Sequence, residues 1–338
     1  MSAPSQAEIR KDLHDLGGGL YAYVQHDGSW GWSNSGLIAA GGQSLLVDTL
    51  FTLGLTREML AAYRDACPEA AAIGTLVNTH ANGDHTFGNQ LVEGARILAS
   101  AACLEEMEER PVEAFRAMMA DWEARGEAGR FLHEMMGARF DFSGIRHTPP
   151  TETFSGSRRM QLGDLAVDLI EVGPAHTRGD VIVHVPARAT VFTGDIVFHN
   201  GHPIIWAGPL SNWVAACDRI TALAPEVVVP GHGPITDLST VRELRDYFTF
   251  IDAESRARHA AGMGWAEAAW DIALDAWDSW LDRERVVANV AAVYRELTDG
   301  AEAADRTEII AMMGRYRAGA RTPQDAPGCG CGDPAHRH

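Results

Sequence analysis

The feature that most constrains the fold is a set of histidines and aspartates that each follow a short apolar run. The run TLVNT ends at His80, which opens the segment HANGDH at residues 80–85. Later runs of the same kind precede three further side chains, His176, Asp195 and His232. Strand ends meet at one edge in an α/β architecture, so side chains far apart in sequence come together there. Packing alone does not explain this repetition, and the pattern predicts a functional site.

Apolar runs separated by turn residues predict strands over most of the first 230 residues. LYAYV, SGLIAA and SLLVDT predict hairpin strands, and GTLVNTH from Gly74 predicts a short buried strand. Between them, TREMLAAYRDA at 56–66 has helical spacing, and a short helix is expected from His85. LAVDLIEVG, DVIVHVP, ATVFTGD and EVVVPG predict later strands, and from Thr240 onwards the spacing is helical.

These elements predict four parts of the chain. They are an N-terminal segment (1–16), a catalytic domain (17–237), a helical C-terminal extension (238–318) and a disordered tail (319–338). A helical insertion is expected at 101–150, where core packing explains the recurring methionines and aromatic residues, and a lid over an apolar substrate is the alternative. The cysteines and histidines of the tail match no zinc module, so we expect no metal there.

In combination, the motifs resemble those of the metallo-beta-lactamase superfamily, in which H-x-H-x-D-H precedes a separate His, a bridging Asp and a last His. The resemblance covers about residues 17–237 and includes Asp48, the HTRGD motif at 176–180, TGD at 193–195 and PGHG at 230–233. It implies an α/β fold, an αββα sandwich with metal ions at the mouth between its sheets. The segment WLDRERVVANVAAVYREL is also similar to that of long, hydrolase-like members.

The resemblance also implies a set of metal ligands. One ion would be held by His80 and His176 and a second by Asp84, His85 and His232, with Asp195 bridging the two. Imidazole and carboxylate ligands suit zinc, with iron and manganese as alternatives.

The chain departs from the family pattern at Asn82, where a histidine is expected. A neutral amide oxygen is a weaker ligand than an imidazole nitrogen, so the site of His80 and His176 is weakened most. One outcome is a single ion at the second site, with Asn82 free to hydrogen-bond water or substrate. The other is a dinuclear centre in which Asn82 or a water supplies the missing donor. We favour the first.

The mechanism implied is hydrolysis, because a divalent metal lowers the pKa of bound water to about 7. Asp84 is the expected proton acceptor. Thr177, Asp180 and Asp48 are candidates for orienting the histidines, and strand-end capping is an equal alternative for Thr177 and Asp48.

The loop FHNGHPIIWAGPLSNW, residues 198–213, is expected to form a wall of the substrate pocket. Its candidate contacts are His199, Trp206, Asn212 and Trp213, although Trp213 could instead begin a helix that enters the core. Trp30 and Trp32 are candidates for the opposite wall.

Composition excludes several other classes of protein. The net charge of −18 argues against nucleic-acid and membrane-surface partners. Lys11 is the only lysine, and no P-loop, nucleophile-elbow or dinucleotide motif is present. Five cysteines suggest no disulfide framework, and no signal-like or membrane-spanning run is present. A cytoplasmic location is therefore expected.

The sequence thus predicts a metal-dependent hydrolase that acts on an ester, lactone, thioester, amide or activated C–X bond of an apolar small molecule. One alternative is a non-hydrolytic enzyme on the same fold, either a cyclase or lyase of secondary metabolism or an iron-dependent oxygenase. The other is a binding or scaffold protein with a structural metal. The amphipathic C-terminal helices permit a homodimer without requiring one.

Overall fold

The computed structural model describes residues 9–301 and 303–320, and within this part the strands form two sheets. The first sheet runs in the order β1 to β7, and its strands are Lys11–Gly17, Leu20–Gln25, Ser35–Ala40, Gln43–Val47, Thr75–Val77, Arg96–Ser100 and Glu152–Phe154. The second sheet has the order β12-β11-β10-β9-β8, and β8 to β12 are Ser157–Leu162, Leu165–Glu171, Val181–Val185, Thr190–Phe192 and Val227–Val229.

The two sheets face each other, as the alternation of buried side chains in β10 shows. Val181 and Val183 belong to the apolar cluster between the sheets, whereas Ile182 belongs to the cluster that includes the helices. Successive side chains of a strand point to opposite faces, so a strand with both faces buried has a layer on each side.

Helices cover the outer faces of both sheets. The helices α1 to α10 are Leu53–Ala66, Gly83–Thr86, Ala101–Glu109, Val112–Ala120, Gly126–Leu132, Leu210–Leu223, Leu238–Ala260, Trp265–Asp271, Val286–Leu297 and Arg306–Ala318. On the first sheet, the Tyr63 hydroxyl of α1 donates to the carbonyl oxygen of Ser35 in β3 (2.8 Å). On the second, Ile220 of α6 and Leu244 of α7 pack in the same cluster as Ile182. The predicted αββα sandwich is confirmed.

The insertion after β6 contains α3, α4 and α5 and ends in a π-helical turn at His133–Gly137. Its methionines are largely core residues: Met107, Met119, Met135 and Met136 are all buried. Core packing therefore accounts for the methionine pattern better than a mobile lid does.

The C-terminal region is helical, as expected, and α9 is its most buried element. Val286, Val290 and Val293 are fully buried, and α10 packs against α5 of the insertion. The insertion and the C-terminal helices thus meet on the same side of the sandwich.

The N-terminal segment is not separate from the sheet, because Lys11–Gly17 pairs with β2 as the edge strand. Its sequence KDLHDLG is mostly polar because an edge strand is only half covered, so no apolar run marks it. The predicted disorder of the tail concerns residues of which all but 319 and 320 lie outside the described part.

Two pairs of parallel strands define the mouth of the sandwich. β4 lies parallel to β5, and β11 lies parallel to β12. The carboxyl ends of each pair therefore lie at the same sheet edge. Asp48 and His80 follow the first pair, and Asp195 and His232 follow the second.

Candidate metal centre

Asp48 fixes the orientation of His80 through Thr79. The hydroxyl of Thr79 donates to Asp48 Oδ2 (2.7 Å), so its oxygen accepts from the Nδ1–H of His80 (3.0 Å). The backbone N–H of Thr79 donates to the other Asp48 oxygen (2.7 Å). With its Nδ1 protonated, His80 presents the lone pair of Nε2 to the mouth.

Asp48 orients His85 directly. The Nδ1–H of His85 donates to Asp48 Oδ2 (2.9 Å), and Nε2 of the same ring lies 3.0 Å from Asp195 Oδ1. Both of these facing atoms are acceptors when the imidazole is neutral. An arrangement of two buried acceptors at this distance calls for a cation or a proton between them.

Asp195 lies at the middle of the group. Its Oδ2 is 3.3 Å from Nε2 of His176 and 3.4 Å from Nε2 of His232. Close backbone approach makes this possible, because a Cβ at Gly231 would lie 2.1 Å from Asp195 Oδ1. Any larger residue at 231 would displace the carboxylate.

His232 lies between two carboxylates, with Asp84 Oδ2 at 3.3 Å from its Nε2. Its ring is stacked on Phe198, with ring centroids 5.1 Å apart. Burial opposes the charge, but Asp195 and Asp84 raise the pKa of His232 to about 9. The carboxylates therefore favour positive charge at this point.

His176 is held differently, and its coordinating nitrogen already has a partner. Its Nδ1–H donates to the carbonyl oxygen of Ile204 (2.8 Å), which leaves Nε2 as an acceptor. The amide nitrogen of Asn82 lies 2.8 Å from that Nε2 and donates to it. The residue that replaces the family's histidine thus occupies the lone pair that would bind a metal.

The donor atoms fit a divalent cation. At the mouth of the sandwich, two groups have ligand atoms within 4.8 Å of one another, namely His80, His85 and Asp195, and Asp84, His85 and His232. Among the described residues, Nε2 of His80, Nε2 of His85 and Oδ1 of Asp195 are buried without a hydrogen-bond partner. Buried polar atoms are rarely left unpaired, and nitrogen and carboxylate donors are those that zinc takes. His176 belongs to neither group.

The candidate substrate contacts occupy different environments. Trp213 is fully buried in α6, and its indole N–H donates to the carbonyl oxygen of Ile196 (2.9 Å), so it packs behind His176 and is not an open wall. Asn212 is partly buried and donates to the carbonyl oxygen of Pro174 (3.1 Å). His199 and Trp206 are also partly buried, and their backbone N–H groups donate to the carbonyls of His232 and His176 respectively.

The other candidate positions divide in the same way. Trp30 and Trp32 are buried, so neither forms an open wall. Asp180 accepts from the backbone N–H of Ala175 (3.1 Å) and from the hydroxyl of Thr177 (2.6 Å). It therefore shapes the loop around His176 without touching the imidazole.

Some contacts were not anticipated from sequence. The carbonyl of Ile204 sets the tautomer of His176, and Phe198 supports the ring of His232. Ser33 pairs with His232 through the backbone and donates its hydroxyl to the carbonyl oxygen of Asp84 (2.5 Å). A contact with a backbone carbonyl cannot be predicted from the residue type. Phe198, by contrast, follows Asp195 by three residues, and this position could have indicated that it lies near the site.

A four-layer sandwich with imidazoles and carboxylates gathered at its mouth defines the class of metal-dependent hydrolases. Comparison with known proteins agrees. The profile of the metallo-beta-lactamase superfamily matches residues 28–232, and the chain belongs to this superfamily. None of the helices in the described residues is long and apolar enough to cross a bilayer.

The relatives have hydrolytic names. The chain is 26% identical over 222 residues to acyl-coenzyme A thioesterase MBLAC2 of Bos taurus, a match that covers 59% of this chain and 72% of that protein. It is 30% identical over 105 residues to hydroxyacylglutathione hydrolase of Fuscovulum blasticum, covering 30% of this chain and 41% of the relative. The chain is accordingly a hydrolase.

Solved structures share the fold at low identity. A metallo-beta-lactamase from Pontibacter korlensis superimposes with a TM-score of 0.54 at 17% identity, covering 71% of this chain and 99% of that one. The sec-alkylsulfatase Pisa1 from a Pseudomonas species gives a TM-score of 0.65 at 15% identity, covering 85% of this chain and 50% of that one.

Proposed function

We propose that the chain is a zinc-dependent hydrolase that holds one cation through Asp84, His85 and His232, with Asp195 as a further ligand. The observation that carries the proposal is that Nε2 of His85 and Oδ1 of Asp195 are buried without a hydrogen-bond partner, with Nε2 of His232 placed between the carboxylates of Asp84 and Asp195. Nitrogen and carboxylate donors favour zinc, and iron and manganese are the alternatives to test. The bond cleaved is an ester, lactone, thioester, amide or activated C–X bond of a small molecule with an apolar part.

Asn82 supports a single cation instead of two. Its amide N–H engages Nε2 of His176, so a second ion held by His80 and His176 would first have to break this hydrogen bond. The His80 imidazole then serves to complete the ring of donors around Asp195, at 3.7 Å from Oδ2. This hydrogen bond from Asn82 holds His176 in place.

The side chains divide the chemical work among themselves. When bound, the cation supplies Lewis-acid chemistry, acidifying water and polarising the electrophile. The side chain of Asp84 is 14% exposed, whereas that of Asp195 is 3% exposed. Asp84 is therefore the carboxylate that solvent reaches, and it accepts the proton of the attacking water. Asp195 stays ionised and holds the surrounding imidazoles in position.

The cysteines support a cytoplasmic location for the protein. Cys67, Cys103 and Cys217 are buried and unpaired, as is typical of a reducing compartment.

Replacement of Asp84 with alanine tests the proposed function. We expect kcat to fall by about 10²- to 10⁴-fold or more on any ester, lactone or thioester that the wild type turns over, because the proton acceptor and a ligand of the cation are lost together. The assay is a panel of these substrates run with zinc, manganese and iron in turn, with circular dichroism to confirm the fold. Asp65→Ala, an exposed aspartate of α1, is the matched control. Full activity of Asp84→Ala, or no turnover of the panel by metal-replete wild type, would contradict the proposal.

A further inference from the structure

Two arginines of the C-terminal helices reach the loop that backs His176. The guanidinium carbon of Arg306, the first residue of α10, lies 4.1 Å from the centroid of the Trp206 ring. Arg295 of α9 donates to the carbonyl oxygen of Ala207. The backbone N–H groups of Trp206 and Ala207 both donate to the carbonyl oxygen of His176 (3.0 and 3.2 Å). Both arginines therefore contact the segment Trp206–Ala207, whose backbone is hydrogen-bonded to His176.

Neither arginine has a carboxylate partner within ion-pair distance in the part of the chain that the structure describes. The neighbouring arginines do: Arg110 pairs with Glu106 (3.5 Å) and Arg178 with Glu109 (2.8 Å). The contrast is meaningful in a chain with 46 acidic and 28 basic side chains, where carboxylates are abundant. A partly buried guanidinium without a counter-ion at ion-pair distance is costly to keep, so this place favours the binding of a group of opposite charge.

Arg306 remains charged in this environment. Burial, with a smaller contribution from Arg110, lowers its pKa to about 10 against the opposing effect of the Glu106 carboxylate, and this value is still well above neutral pH. Arg295 and Arg306 are both partly exposed. The guanidinium of Arg306 lies over the Trp206 ring, and its N–H groups point outward in the guanidinium plane. This geometry suits bidentate binding of a carboxylate, sulfate or phosphate.

We propose that Arg306, assisted by Arg295, binds an anionic group of the substrate while the scissile bond lies at the metal centre. This inference rests on the proposed function and narrows its substrate class. The substrate is an amphipathic anion, with an apolar part and a carboxylate, sulfate or phosphate at some distance from the bond that is cleaved. The insertion and the C-terminal helices, which meet beside Trp206, supply the specificity that the ligands of the cation do not.

A pair of esters with the same leaving group tests the proposal on the metal-replete enzyme. Mono-4-nitrophenyl glutarate carries a terminal carboxylate, and 4-nitrophenyl pentanoate has a methyl group in its place. A hydrogen-bonded charge pair predicts that Arg306→Gln lowers the ratio of kcat/KM for the anionic ester to that for the neutral ester by about ten- to a hundredfold. Most of the loss should lie in KM, because the contact is the same in ground and transition states. Arg64→Gln, an exposed arginine at the end of α1, is the matched control and should keep the wild-type ratio.

A binding measurement keeps the two proposals separable. Calorimetric titration of wild type with 1-naphthalenesulfonate and with the neutral 1-naphthalenesulfonamide needs no turnover. We expect the sulfonate to bind more tightly, and Arg306→Gln to lose this preference by about tenfold or more. If Arg306→Gln loses the preference for the sulfonate and no ester is turned over, the hydrolase proposal is refuted and the anion site is supported. Equal binding of both probes by wild type, or an unchanged preference in the variant, overturns the anion site. If Arg306→Gln does not fold, Arg295→Gln is judged by the same two criteria.

Discussion

Replacement of Asp48 with asparagine should weaken metal binding although Asp48 is not itself a ligand of the proposed cation. Asp48 accepts three hydrogen bonds, two from Thr79 at 2.7 Å and one from Nδ1–H of His85 at 2.9 Å. Asparagine keeps one acceptor oxygen and presents an NH₂ group where the second one was. If the NH₂ group takes the place of Oδ2, His85 and the hydroxyl of Thr79 both lose their acceptor, and Nε2 of His85 is no longer fixed toward Asp195. If it takes the place of Oδ1, the backbone N–H of Thr79 loses its acceptor and His85 keeps a neutral amide oxygen in place of a carboxylate. Loss of such an outer partner costs about 10- to 100-fold in metal affinity, which corresponds to about 1.4–2.7 kcal/mol.

The assay is competition for zinc against a chromophoric chelator, with Asp180→Asn as the control. Asp180 is also buried and also accepts from backbone and hydroxyl donors, namely those of Ala175 and Thr177. It touches no imidazole that faces the proposed cation, so its variant should keep wild-type affinity. The reasoning fails if Asp48→Asn binds zinc as tightly as wild type, or if Asp180→Asn loses as much affinity.

Two further outcomes follow from the same contacts. Asn82→His should raise the zinc stoichiometry in calorimetric titration above that of wild type, because the substitution frees Nε2 of His176 and adds an imidazole. An unchanged stoichiometry would refute the role given to Asn82. Burial lowers the pKa of His202 from its ordinary value of 6.5 to about 3, so below pH 6.5 the unfolded chain binds a proton there that the folded chain does not. The free energy of unfolding of wild type should therefore fall as the pH is lowered from about 7 to 5, by up to about 1.4 kcal/mol per pH unit more than that of His202→Gln. Urea unfolding at each pH measures this difference, and parallel pH profiles of the two proteins would contradict it.

The strand ends of the centre were predictable because they combine two independent signals. Runs such as TLVNT and EVVVPG predict buried strands, and His80 and His232 follow those runs directly. The fold brings such positions together through parallel pairing, which is a general rule of α/β sheets. The layered sandwich was predicted by the resemblance to a known superfamily.

The surroundings of the centre were less predictable because they depend on tertiary contacts. Whether Trp213 lines a pocket or packs in the core is decided by the orientation of α6, which buries Leu210, Trp213, Cys217 and Ile220 on one helical face. The contact of Arg306 with Trp206 joins residues 100 positions apart in elements that sequence patterns cannot orient. Hydrogen bonds to carbonyls, such as that of His176 to Ile204, depend on loop conformation alone.

The metal content of the purified protein tests the central claim most directly. Protein prepared without added metal, dialysed and analysed by inductively coupled plasma mass spectrometry should hold about one equivalent of zinc, iron or manganese per chain. The His85→Ala variant should hold none, since His85 belongs to both groups of donors. A wild-type protein that stays metal-free after incubation with these ions would contradict the account.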